Sequence, residues 1–134
     1  MTQTTAGLDQ IGRVMVAVTN QDAAIAFYTE KLGFELRADV PYGNGDRWVE
    51  VGLGEAPTAV ALVIPPENAT GAGPGGNTNI AVTTQDIDEV HARFKGAGVD
   101  VDEAVVRYGD PVPPMFWFRD QDGNVLLVVE EEQA

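Results

Sequence analysis

The chain has 134 residues, enough for one domain that removes roughly two thirds of its unfolded-chain surface from water on folding. With no cysteine it excludes disulfides, thiolate metal sites, iron-sulfur clusters and a cysteine nucleophile, and its 8 basic against 21 acidic residues, a formal charge of −13, oppose binding to a phosphate backbone. Met1 to Leu8 carries no basic start and no apolar run, and the apolar stretches are strand-sized, so neither a signal peptide nor a membrane span is expected. The expected location is the cytoplasm.

In chain order, Ile11 to Val18 alternates Val14, Val16 and Val18 with Arg13, Met15 and Ala17, the period of a two-faced strand. Asn20 to Asp22 offers capping side chains. The helix after it, Ala23 to Leu32, carries Ile25, Tyr28 and Leu32 at helical spacing and stops at Gly33. Phe34 to Val40, Arg47 to Leu53 and Thr58 to Ile64 follow as strands between turn-rich segments. Residues 65–76, rich in proline and glycine and without periodicity, read as a linker.

After the linker the pattern restarts. Asn77 to Thr84 reads as a strand and Asp86 as a cap. A helix runs to Lys95 with Ile87, Val90 and Phe94 on one face, and Gly96 and Gly98 end it. Val99 to Tyr108, Met115 to Arg119 and Val125 to Glu130 are three further strands, the last preceded by the tight turn Asp120 to Gly123. Arg13 to Asn20 aligns with Asn79 to Asp86 at an offset of 66, and Gly33 with Gly98 at 65, so one β-α-β-β-β pattern occurs twice. A single domain, 1–134, is expected, with modules 9–64 and 77–131.

IGRVMVAVTNQDAAIAFYTEKLGFEL, DRWVEVGLG and FRDQDGNVLLVV together resemble the vicinal oxygen chelate superfamily of glyoxalases, bleomycin resistance proteins and extradiol dioxygenases. AFYTEKLGF and DQDGN are the most specific pieces. The resemblance implies an α+β fold of two βαβββ modules, whose strands form an open, barrel-like sheet around a cavity, and a homodimer. In metal-dependent members the first strand of each module supplies a His or Gln seven residues before the Asp that begins the helix. The last strands supply carboxylates. The matching positions here are Arg13, Asn79, Leu127 and about Ala61. A guanidinium has no lone pair to give, Leu and Ala have no donor, and Asn is a weak oxygen ligand, so no metal or other cofactor is expected.

The one histidine, His91, falls mid-helix and reads as solvent-facing. Asp120 and Asp122 leave open a hard-cation site, against the plainer reading of a turn. Strand alternation sends Arg13, Trp48, Glu50, Asn79, Met115 and Trp117 to the cavity face. Two indoles with an acid and a base suit a small aromatic or cationic molecule. Two plainer readings stand beside this: the indoles fill a groove or a dimer contact, and Glu50 pairs with Arg13. There is no serine, no phosphate-binding loop and no dinucleotide fingerprint, which excludes a catalytic triad.

The sequence therefore points to a small-molecule binding protein of glyoxalase/bleomycin-resistance type that has lost the family's metal ligands. The alternative is a glyoxalase-like lyase, isomerase or dioxygenase with a relocated metal site. A third reading is an interaction module whose groove a partner chain closes. Nucleic acid and membrane are not expected partners.

Overall fold

The fold, taken from a computed structural model, is described for residues 5–66 and 73–131. The first half contains β1 (Arg13–Ala17), α1 (Gln21–Ala26), β2 (Glu35–Tyr42), β3 (Asp46–Gly52) and β4 (Ala59–Val63). The second contains β5 (Asn77–Thr84), α2 (Ile87–Gly96), β6 (Asp100–Val101), β7 (Met115–Arg119) and β8 (Val125–Glu130). Two four-stranded sheets result, ordered β1-β4-β3-β2 and β5-β8-β7-β6, each with its first and last strands parallel and the remainder antiparallel. This is the expected α+β architecture. Of the expected linker, residues 67–72 lie outside the described residues.

The caps form as their side chains allow. Asn20 Oδ1 accepts from Ala23 N at 2.9 Å and Asp86 Oδ1 from Glu89 N at 3.1 Å, each relieving one orphan donor at a helix start. α1 begins two residues earlier than its periodicity predicts, and its last turn widens to a π-helix over Phe27–Lys31. Gly33 and Gly98 then take φ of +81° and +83°, a conformation that penalises a Cβ, and turn the chain into β2 and toward β6.

One strand expectation needs correction. Val99 to Tyr108 is not continuous: after Asp100–Val101 the ladder breaks, and pairing resumes only as a bridge between Val106 and Met115. The interrupting stretch includes Asp102 and Glu103, whose carboxylates pair with Arg119 and Lys95 instead of alternating across a sheet.

The inner faces of both sheets share one hydrophobic core. Val16, Val49, Val51 and Leu62 from the first sheet belong to the same cluster as Phe116, Phe118, Leu126 and Val128 from the second, together with Tyr28 and Phe94 from the helical segments. Each fully buried side chain of this kind is worth about 1.5–3 kcal/mol. His91 is half-buried here and not solvent-facing, since its ring meets Phe116 edge-on at 4.9 Å and its Nε2 lies 2.7 Å from the Asp102 carbonyl oxygen.

A polar clasp joins the halves. The Tyr28 hydroxyl donates to Asp120 Oδ2 at 2.7 Å, while Asp120 Oδ1 accepts from the backbone N–H groups of Asp122 and Asn124. Thr19 donates twice to Asp122, and Asn124 Nδ2 donates to the Ala17 carbonyl at 2.9 Å. The Asp120 to Gly123 turn thus fixes β1 and α1 against the second sheet, a role its sequence does not announce. Burial opposes the charge on Asp122, but the bonds from Thr19 and Gln121 outweigh it and hold the carboxyl below its ordinary range.

Candidate functional site

On the outer face of the first sheet, Arg13 and Met15 project from β1, Ala59 and Ala61 from β4, and Trp48 and Glu50 from β3. The register sets Arg13 opposite Ala59, and sets both Met15 and Glu50 opposite Ala61. Because the intervening β4 residues carry only methyl groups, Arg13 reaches across the strand, and its Nε lies 2.7 Å from Glu50 Oε2. The Trp48 indole N–H donates to the same oxygen. Glu50 is only 8% exposed, and the bonds from Arg13 and then Trp48 hold its carboxyl below the usual range although burial opposes its charge. The ion pair weighed from the sequence forms.

Tyr42, which sequence reasoning missed, extends this face. It meets the Trp48 ring edge-on at 6.4 Å and is 52% exposed. Only the β2–β3 register, Val40 opposite Trp48 and Tyr42 opposite Asp46, puts it there.

On the second sheet Asn79, Ala81, Trp117 and Leu127 line a hollow of about 210 Å³. Asn79 is not on a regular strand as expected. Its φ is +59°, and the β5–β8 register slips between Asn77 and Ala81. Asn77 Oδ1 and Thr78 Oγ1 accept the N–H groups of Asn79 and Ile80, which the regular ladder would otherwise take. Met115 pairs with Val129 and Val106 at the rim of this sheet. A larger hollow of about 440 Å³ lies between the halves, where Val14, Val60 and Leu53 face Asn79, Ile80 and Val82. The hollows lined by Asn79 or Trp117 contain none of Arg13, Trp48 and Glu50. The six expected residues therefore stand as two groups, Arg13, Trp48 and Glu50 on the first sheet and Asn79, Met115 and Trp117 on the second.

The positions that the resemblance sets against metal ligands, Arg13, Asn79, Leu127 and about Ala61, carry no fitting donor set. Arg13 spends its Nε on Glu50, Ala61 and Leu127 have no lone pair, and Asn79 offers one amide. Among the described residues no three His, Cys, Asp or Glu side chains converge where they could hold a metal. The carboxylates of Asp120 and Asp122 are occupied by the clasp. Among the described residues no helix is long and apolar enough to cross a membrane.

A family model for the Glyoxalase/Bleomycin resistance protein/Dioxygenase superfamily matches residues 10–128. The chain belongs to that superfamily. Among similar proteins is YetH of Bacillus subtilis (strain 168), an uncharacterized protein 35% identical over 128 residues, covering 92% of this chain and 99% of YetH. TnmS3, an antibiotic binding protein from Streptomyces sp. CB03234, has a solved structure that matches with a TM-score of 0.79 and 31% identity, over 93% of this chain and 98% of TnmS3. A superfamily member from Sphaerobacter thermophilus DSM 20745 matches with a TM-score of 0.85 and 33% identity, over 92% and 98% of the two chains. The vicinal oxygen chelate resemblance and the glyoxalase-like fold both stand on these likenesses.

Proposed function

We propose that this superfamily member is a cytoplasmic, metal-free binding protein that holds a small, partly aromatic organic molecule against the outer faces of its sheets, as a homodimer. The observation that carries the reading is the convergence of Trp48, Arg13 and the buried carboxylate Glu50 over the two alanines of β4. A rigid indole beside a fixed charge pair gives an aromatic molecule a stacking surface and an orienting polar contact. The likeness to TnmS3, an antibiotic binding protein, supports the same reading.

Loss of the family metal is supported by the chemistry of Arg13, Ala61, Asn79 and Leu127. Dimerisation is supported by Met15, Val40 and Tyr42, all about half exposed on the outer face of the first sheet, where a second copy would cover apolar surface. Light scattering that returns a monomer at micromolar concentration would remove that part of the proposal.

Melting curves with a panel of polycyclic aromatic compounds, recorded with and without chelator, test the whole. A ligand selective for the native state raises the melting temperature with the logarithm of its concentration. The expected result is a shift that survives chelator and shrinks in Trp48→Ala. A shift that chelator abolishes, or one unchanged in Trp48→Ala, would overturn the reading.

A further inference from the structure

Both donors that hold Glu50 meet the same oxygen. Arg13 Nε and Trp48 Nε1 donate to Oε2, and Oε1 accepts no hydrogen bond from any described residue. Arg13 in turn uses only Nε: its Nη1 and Nη2 groups donate to no described residue, and its side chain is 57% exposed. The carboxylate is fixed by its neighbours, yet half of its accepting capacity and most of the guanidinium's donating capacity remain unspent. The two unspent sets belong to one ion pair, above the methyl groups of Ala59 and Ala61 and beside the Trp48 indole.

We infer that Glu50 Oε1 and the Arg13 Nη groups together read a ligand group that offers an N–H donor and a carbonyl acceptor on adjoining atoms, a primary carboxamide, with the ligand's aryl body on Trp48. The ligand N–H donates to Oε1 and its carbonyl oxygen accepts from Arg13. A bond to an ionised partner is stronger than one between neutral groups. An ester lacks the donor, and an anionic carboxylate lacks it and also meets the charge of Glu50. This inference rests on the binding reading above and adds the chemical class to it.

Three probes of one shape separate the possibilities: 2-naphthamide, methyl 2-naphthoate and 2-naphthoate. Binding to the full chain is followed by the nitrogen-proton NMR signals of the Trp48 indole and the Arg13 side chain. The wild type is expected to bind the amide about tenfold more tightly than either other probe. In Glu50→Gln the amide oxygen stays beneath the two donors and the NH2 takes the place of Oε1, so an acceptor becomes a donor. The preference should then move to 2-naphthoate.

If no probe shifts either signal, the binding site itself is refuted along with this inference. Should all three bind the wild type equally, or Glu50→Gln weaken all three by the same factor, the inference fails while the binding reading survives. The wild-type ranking of the probes decides the matter even where the variant folds poorly.

Discussion

Arg13 on β1 and Glu50 on β3 are not neighbours in the sheet; they meet across β4, with Nε and Oε2 2.7 Å apart. The bridge depends on what lies beneath it. Ala59 and Ala61 are both buried, and any longer side chain there would occupy the path of the guanidinium.

Ala61→Leu should therefore destabilise the fold by about 1–3 kcal/mol, since overpacking forces neighbouring side chains from their rotamers. It should also separate Arg13 from Glu50. Urea unfolding measures the first effect, and the NMR titration of Glu50 the second; a Glu50 titration unchanged in the variant would show that the alanines are not what permits the pair.

Glu50 also gives a pH dependence of defined sign. Its carboxyl titrates below the ordinary value in the folded chain, because Arg13 and Trp48 bond to the charged form. A depressed acid contributes stability above its unfolded pKa, about 4.3, and that contribution is lost as pH falls through the lower folded value. The melting temperature of the wild type should fall more steeply below about pH 4 than that of Glu50→Gln. Parallel curves for the two proteins would contradict it.

Tyr28 and Asp120 join the halves, and Tyr28→Phe removes one charge-assisted bond from a carboxylate that keeps its other donors. A loss of about 1.5–3 kcal/mol in denaturant unfolding is expected. Burial first, and then the charge and hydrogen bond of Asp120, push the phenol far above its ordinary pKa. A raised acid contributes stability below its unfolded pKa, near 10, and that stability is lost as pH rises beyond it. The tyrosine absorbance change should accordingly show one phenol that ionises only on alkaline unfolding.

Asn79 has a left-handed backbone, with φ of +59°. Asn79→Gly should cost little, whereas Asn79→Val, with a branched Cβ, should cost about 1–2 kcal/mol. Equal melting temperatures for the two variants would mean that the bulge in β5 relaxes when the side chain changes.

Much of the fold could be read along the chain because it rests on local rules. The alternation in β1 and β8, the caps Asn20 and Asp86 and the stops Gly33 and Gly98 depend on residues within one or two turns of one another. What failed was non-local. Val99 to Tyr108 has enough apolar residues to read as a strand, but Asp102 is claimed by Arg119 on a neighbouring strand. His91 reads as surface until Phe116 and the Asp102 carbonyl are brought beside it. For the site, residue types and strand faces were legible for Arg13, Trp48 and Glu50, while Tyr42 needed the β2–β3 register.

By itself the sequence determined two repeats of one pattern, their membership in a superfamily, and the chemistry of the side chains at Arg13, Asn79 and Leu127. These follow from period, turn residues and the lone pairs an atom possesses, none of which requires a fold. Only the tertiary structure decided that both Glu50 donors choose one oxygen, that Asp120 and Asp122 clasp the halves, and that the expected site residues divide between two sheets. Those are distances between residues far apart in the chain. Side-chain chemistry lists what could bond, and the register and packing of the strands select which bonds form.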